Sequence, residues 1–502
     1  MAAGDLPVLV GAGQITSHWQ AGDPMQDAPS AVSLARQASA RALSDAGLQA
    51  RDIDTLAVIP TFTPFVPGYG HEHGVNSNLP GTLARDLGAA PSSAIYSAFG
   101  GQAPQALANE LAARIHAGET DMAMIAGAEA IRAAKSATKA GITLDWEDSA
   151  DLPFDDRGLG EAMLIRPEIK HGLVPAHIIY ALIENAMAAA KGEDRTARRT
   201  TMSALFARFA EIARSNPYSA FRQAFDAPFL ATPSAQNFPL ADPYLKWHVA
   251  QDNVNQGAAI VMMSQRKADE LGVPGSNRLY LTGAGEASDT FLIQRPHLDR
   301  SWAMQTAAAA ALAQADITAD EIDLFDLYSC FPCAVFAAGE ALGLDASTDE
   351  RALTVTGGLP FFGGPGNNYS LHAIASLAMR LRSGPARTGL ILANGGAMTK
   401  AAIGIWSRNR PPAFAPVETA RKPDQINDIA LEPAGGTIET HTVARGRDGT
   451  DFGVVLARTD GGQRFAARAS ATALKRLQGD ESPIGQTIQV TSENEINTFD
   501  FV

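Results

Sequence analysis

Cysteine is almost missing from this 502-residue chain: Cys330 and Cys333 are the only two. That excludes a disulfide framework and fits a reducing compartment. Charge is sparse as well, 19% of residues against 46% hydrophobic, which excludes a disordered or coiled-coil chain and supplies a large core. The balance is acidic, −14 in net, so nucleic acid, which needs clustered Lys and Arg, is not an expected partner. No apolar run approaches the roughly 18 residues that cross a bilayer, so no membrane partner is expected either. The start, MAAGDLPVLVGAGQ, lacks a basic region before its short apolar run. It reads as a first strand, closed by Gly11 and Gly13, and cytoplasm is the expected compartment.

Glycine and alanine are plentiful, and they fall into a pattern that occurs twice. Residues 31–46 carry apolar positions at helical spacing, and 54–59 read as a buried strand ended by Pro60. The stretch ALSDAGLQARDID at 42–54 recurs as ALAQADITADEID at 311–323, with Ala42, Leu43, Ala46, Ile53 and Asp54 matched by Ala311, Leu312, Ala315, Ile322 and Asp323. A second helix–Gly–strand unit at 112–129 is echoed at 378–396, each preceded by Phe-Gly-Gly (Phe99-Gly100-Gly101 and Phe362-Gly363-Gly364). Two α/β halves related by a pseudo-twofold follow: 1–270, with an inserted segment at 131–250, and 276–408. The insert is rich in helix formers at 178–191 and 200–214 and is expected to form a lid or substrate-binding surface. After the Pro-rich linker at 410–416, residues 415–502 alternate and turn like short antiparallel strands. Turns fall at Arg447-Asp448-Gly449 and Asp460-Gly461-Gly462, and a small β-barrel of OB type is expected.

Three stretches can carry chemistry. Asp326-Leu327-Tyr328-Ser329-Cys330-Phe331-Pro332 ends a strand and opens a helix, the place where α/β proteins bind ligands. A helix N-terminus there favours a thiolate at Cys330, and a buried inert thiol is the alternative. The CxxC spacing of Cys330 and Cys333 also admits a redox pair or half a zinc site, although no second pair completes one. The Gly-rich run from Gly357 to His372 enters another helix, and His372 is a candidate general acid or base, or a structural histidine. Within it, Gly364 and Asn368 are candidate loop supports; Asn367 and Asn368 also read as helix caps. Leu392-Ala393-Asn394-Gly395-Gly396-Ala397 is a strand opening into a turn whose N–H groups suit an oxyanion, or a plain turn. His71 and His73 form a His-x-His without a third ligand, so no metal is expected.

These segments, in this order, resemble the thiolase superfamily over residues 1–408. Gly127-Ala128-Glu129 looks like the family's first-half strand, and Asp252-Asn253-Val254-Asn255-Gln256-Gly257 like its return from the inserted domain. Tyr328-Ser329-Cys330-Phe331 sits where thiolases carry NEAF, or HDCF in the sterol-carrier-protein type. Gly363-Gly364-Pro365 stands for GHP, and Ala393-Asn394-Gly395-Gly396 for Cys-x-Gly. The whole chain, C-terminal domain included, looks like the type 1 thiolase-like proteins. The resemblance implies a five-layer αβαβα fold, coenzyme A or acyl-CoA as substrate near the insert, no covalently bound cofactor, and a homodimer through the core.

The departures narrow the chemistry. Residues 97–105, where a thiolase carries its acyl-accepting cysteine, hold no thiol; Gly364 replaces the GHP histidine and Ala393 the Cys-x-Gly cysteine. Of the family's reactive groups only Cys330 is kept. The first expectation is an acyltransferase of lipid metabolism doing Claisen or retro-Claisen chemistry. It places Cys330 as nucleophile or acid/base and His372 as its partner, with Asn394, Gly395, Gly396, Gly100 and Gly101 around the oxyanion. The alternatives are a retro-aldolase acting on a 3-hydroxyacyl-CoA through Tyr328, as in thiolase-like aldolases that work with an OB-fold partner, or a non-catalytic acyl-CoA-binding protein.

Overall fold

The computed structural model describes residues 5–63, 65–66, 68–421, 423, 426–446 and 449–502; Arg447 and Asp448 of the expected turn lie outside this set. The first strand, β1 (Pro7–Thr16), does not close at Gly11. It runs through both glycines because they let helix α1 (Ala31–Ala46) lie directly on it. A Cβ at Gly11 would stand 2.3 Å from Ala42 O, and one at Gly13 2.2 Å from Ala38 O. Strands β2 (Thr55–Val58) and β3 (Ser93–Tyr96), helix α2 (Ala103–His116) and strand β4 (Met122–Ala130) follow.

The chain then leaves for the insert, whose long helices are α3 (Ala176–Ala190) and α4 (Arg195–Ser215), and returns as β5 (Asn255–Ser264). The second half repeats the plan: β6 (Leu279–Ser288), α5 (Trp302–Ala315), β7 (Leu324–Leu327), α6 (Pro332–Ala341), α7 (Tyr369–Ser383), β8 (Thr388–Gly395) and β9 (Lys400–Ser407). The close glycine packing is repeated too, with Gly283 against Ala311 O and Gly285 against Ala307 O. The shared Ala42 and Ala311 of the two sequence copies are thus the positions where helix backbone rests on glycine.

The strands form one sheet in the order β7-β8-β9-β6-β1-β5-β4-β2-β3, joined at its centre by Val8↔Tyr280 and Leu9↔Leu279. Outward from that seam both sides read alike: antiparallel, antiparallel, then parallel. Helices α2 and α7 pack on each other at the middle. Strands β4 and β5 are buried at every position, as strands covered on both faces must be.

The C-terminal strands β10 (Gly435–Arg445), β11 (Asp451–Arg458), β12 (Arg464–Ala469), β13 (Thr487–Glu493) and β14 (Ile496–Phe501) close into a barrel, with helix α8 (Ala471–Leu477) between β12 and β13. Closure runs β10-β11-β12-β14-β13-β10, with β12–β14 the parallel pair. A short strand of the insert, Pro239–Ala241, adds to β10 through Ala444↔Ala241. Thr440 Oγ1 donates to Leu182 O at 2.5 Å and Asn185 Nδ2 to His441 O at 2.8 Å, so α3 is tied to the barrel.

Candidate active site

The site begins where β7 ends. Asp326, the third residue of that strand, turns its carboxylate under the loop 354–358. Its Oδ2 accepts from Thr354 Oγ1 (2.8 Å), Val355 N (3.0 Å), Thr356 N (3.1 Å) and Thr356 Oγ1 (2.9 Å), and its Oδ1 accepts from Tyr369 Oη at 2.9 Å. Burial pushes this carboxyl up all the same. The network is closed on itself and holds Tyr369, whose ring stands edge-on to Tyr328 at 5.4 Å. Ser329 turns the other way and accepts from Leu359 N at 3.1 Å. Tyr328 and Cys330 are left at the strand end, 7% and 9% exposed.

Three chain segments meet there. From the first half comes Gly101, so close that a Cβ would lie 2.3 Å from Tyr328 Oη and 2.5 Å from Asn394 O. From the second half comes Asn394, whose Nδ2 reaches Cys330 Sγ at 3.7 Å. From the insert comes Tyr180, stacked on Phe331 with centroids 4.2 Å apart. Its hydroxyl donates to Gly396 O at 2.6 Å, accepts from Asn394 Nδ2 at 2.8 Å and also contacts the Cys330 thiol. Gly396 must be glycine, since its φ is +61° and a Cβ would lie 2.2 Å from Thr399 Oγ1. Tyr180 was not among the residues singled out from the sequence. Its one signal there is a phenol set in the apolar run Ile178-Ile179-Tyr180-Ala181-Leu182-Ile183.

Several expected site residues are placed elsewhere. His372 is fully buried; its Nδ1 meets Gln14 Oε1 at 2.9 Å and its ring packs on Phe362, so it is not a contact of Cys330. Gly364 spends its N–H on Gln251 O at 2.8 Å, and Gly100 spends its own on Asn367 Oδ1 at 3.1 Å, which takes both out of the oxyanion set. Asn368 stands at the N-cap position of α7, but its side chain makes no capping bond, and neither does that of Asn367. They clamp the halves together, Asn367 Nδ2 donating to Pro60 O at 2.9 Å and Asn368 Nδ2 to Gly127 O at 2.7 Å. Gly395 lies against Gln102, whose Oε1 fills the space a Cβ would need. The N–H groups of Gly101 and Gly396 donate to no protein acceptor among the described residues.

Electrostatics favour neutral groups throughout. Burial pushes the Cys330 thiol up to about 12 and the Tyr328 hydroxyl above its usual range, the nearby sulfur adding to the latter. His372 is pushed down to about 3 by burial, so it is neutral and carries no proton to donate from a cation. Both thiols are free. Cys333 is engaged elsewhere: Tyr244 Oη lies 3.3 Å from its sulfur and Glu184 Oε2 accepts from its N–H at 2.8 Å. His73 is consumed by packing, with Nε2 at 3.1 Å from Ala134 O and from Thr138 Oγ1 and Nδ1 accepting from Leu144 N at 3.2 Å. No group of three His, Cys, Asp or Glu suited to a metal ion occurs among the described residues, and no helix among them is long and apolar enough to cross a membrane. The arrangement sets a protonated thiol beside the Tyr180 hydroxyl and the Asn394 amide, with His372 bonded elsewhere.

No protein-family model matches the chain. Among curated proteins, a probable acetyl-CoA acetyltransferase of Mycolicibacterium smegmatis is 29% identical over 127 residues, 24% of this chain. The match spans only 30% of that relative's length. Among solved structures, an Ltp2-ChsH2(DUF35) aldolase is 16% identical with a TM-score of 0.57, over 82% of this chain and all of the other. An acetyl-CoA acetyltransferase from Syntrophomonas wolfei is also 16% identical, with a TM-score of 0.56 over 81% of this chain and all of that one. At that identity both show a shared fold. A monomeric SCP2-thiolase like protein type 1 from Mycobacterium smegmatis is 35% identical over 99% of both chains, with a TM-score of 0.83. With that coverage, and with the duplicated halves and the closed C-terminal barrel described above, this chain belongs to the SCP2-thiolase-like proteins of type 1, in the thiolase superfamily.

Proposed function

We propose that this protein acts on acyl-CoA thioesters, making or breaking the carbon–carbon bond beside the thioester by proton transfer and without an acyl-enzyme. The observation that carries this is the state of Cys330: a buried thiol held by Tyr180 and Asn394, with its titration pushed up to about 12 and no histidine or carboxylate bonded to it among the described residues. A thiol in that state is a proton donor, while covalent acyl transfer needs a thiolate. The reading supported best is aldol-type chemistry on a 3-hydroxyacyl-CoA. As the C2–C3 bond breaks, its electron pair passes to C2 as the thioester enolate and C3 becomes a carbonyl. The Cys330 thiol protonates C2, and the proton leaving the 3-hydroxyl returns to the sulfur through Tyr328, so the site ends as it began. Gly101 and Gly396 N–H would stabilise the enolate oxygen.

A second reading, Claisen-type acyl transfer to an incoming coenzyme A, keeps Cys330 in the same role of proton donor. The acetyltransferase names of two relatives favour it. We take the insert as the cover of the acyl-CoA site, the barrel as OB type, and the core as a five-layer αβαβα stack; a homodimer is set aside for a monomer, the state given for the relative of the same type. The test is intact-protein mass spectrometry during incubation with 3-hydroxyacyl-CoA and 3-oxoacyl-CoA of matched length. The expected result is cleavage products with no mass adduct on the protein. An acyl adduct on any residue contradicts the mechanism.

A further inference from the structure

Asn394 uses one side of its amide and leaves the other empty. Its Nδ2 donates to Tyr180 Oη at 2.8 Å and reaches Cys330 Sγ at 3.7 Å. Its Oδ1 is buried with no partner among the described residues, on a residue only 1% exposed. A buried amide oxygen without a hydrogen is costly. Such an orphan is commonly relieved by turning the amide over, since its oxygen and nitrogen are nearly alike in shape.

Tyr180 forbids that relief. A phenol has one hydrogen, and Tyr180 gives it to Gly396 O at 2.6 Å. Its oxygen can then only accept, so the group facing it must be the NH2 of Asn394. A turned amide would set two acceptors against each other and withdraw the donor from Cys330. The orphaned oxygen is therefore a fixed property of the site, built by a residue that the insert contributes. It stands on a side chain in contact with Cys330, and the backbone oxygen of the same residue lies against Gly101 where Gly101 meets Tyr328.

We propose that Asn394 Oδ1 is the acceptor for a ligand hydroxyl, the 3-hydroxyl of an acyl-CoA, and that Tyr180 is the positioning residue that holds it in that orientation. The inference rests on the acyl-CoA reading above and deepens it by naming the oxidation level of the substrate. In the bound complex a hydroxyl supplies the missing hydrogen, and it gives that hydrogen up to Tyr328 only as the C2–C3 bond breaks. A 3-oxo group brings a second acceptor and is repelled, and a saturated chain leaves the oxygen orphaned. Sites that hydrogen-bond a ligand hydroxyl reject the analogue that lacks it far more strongly than apolar pockets reject a missing methylene.

The test is isothermal titration calorimetry with three acyl-CoAs of one chain length, 3-hydroxy, 3-oxo and saturated, on wild type, Tyr180→Phe and Asn394→Leu. Ratios are taken within each protein, so a general loss of affinity cancels. Wild type is expected to bind the 3-hydroxy compound about tenfold or more tightly than either analogue, and both variants to bring the ratios toward one. Equal affinities in wild type, a preference for the 3-oxo compound, or ratios that survive in Asn394→Leu overturn the inference and leave the acyl-CoA reading intact. Ratios lost in Asn394→Leu but kept in Tyr180→Phe overturn the positioning role. Failure of all three compounds to bind wild type overturns both readings.

Discussion

Gly101 sits between two groups that leave it no room, Tyr328 Oη and Asn394 O. Gly101→Ala is expected to cost about 1–3 kcal/mol of stability, the usual range for forced overpacking, and to abolish turnover by displacing Tyr328; a fully active alanine variant in a urea titration and activity assay would argue against the placement. His372 is the opposite case, a reactive side chain with a structural job. Because burial holds it neutral down to about pH 3, His372→Gln is expected to leave the pH–rate profile between about pH 5 and 9 unchanged, and a displaced limb of that profile would restore it to the chemistry. At this scale the sequence was half legible. Cys330 and Tyr328 stood out because thiols are rare here and a strand end is a functional place. His372 was misplaced because it lies one turn into α7, past the Gly-Gly-Pro turn, and periodicity alone does not say which way a helix faces. Tyr180 was hidden among apolar neighbours, since nothing in a local run shows that its hydroxyl will meet residues more than two hundred positions away.

Elements were read more securely than residues. Helix α1 falls on residues 31–46 as its periodicity requires, and β7, α6 and the Gly-rich run into α7 lie where their apolar runs and glycines place them. The error at Gly11 has a simple cause: glycine in a strand signals either an end or a close approach of another backbone, and here α1 supplies the approach. The loop 354–358 depends on one carboxylate. Asp326→Ala would orphan the hydroxyls and N–H groups of Thr354, Val355, Thr356 and Tyr369 that now converge on it. At about 1–3 kcal/mol for each buried group left unsatisfied, we expect a loss of at least about 3 kcal/mol in chemical denaturation, with the Tyr328 ring freed from its Tyr369 neighbour. A loss near zero would show that the loop is held by something else.

At the scale of the molecule, duplication was legible because two copies of one helix–turn–strand unit share their alanines, and the structure shows those alanines lying on paired glycines. The join of insert and barrel was not, because short edge strands such as Pro239–Ala241 carry no pattern of their own. One buried charge makes a whole-molecule prediction. Glu129 on β4 accepts from Phe62 N at 2.7 Å, and burial pushes its carboxyl up to about 8 from an ordinary 4.5. The folded chain therefore keeps a proton that the unfolded chain has lost, and this contribution to stability falls as pH rises from 4.5 to about 8 and is level beyond it. Glu129→Gln is expected to remove that decline and to be the more stable protein at pH 9 by a few kcal/mol, at about 1.4 kcal/mol per pH unit; parallel pH–stability curves for the two proteins would refute the assignment.

The central claim is that chemistry on an acyl-CoA runs through the protons of Cys330 and Tyr328. Steady-state turnover of matched 3-hydroxyacyl-CoA and 3-oxoacyl-CoA by wild type, Cys330→Ala and Tyr328→Phe tests it most directly. The account predicts turnover of the hydroxy compound by wild type and a fall of about 10²-fold or more in each variant, the range for loss of a positioned acid or base. Full activity in Cys330→Ala, or no turnover of either compound by wild type, would contradict it.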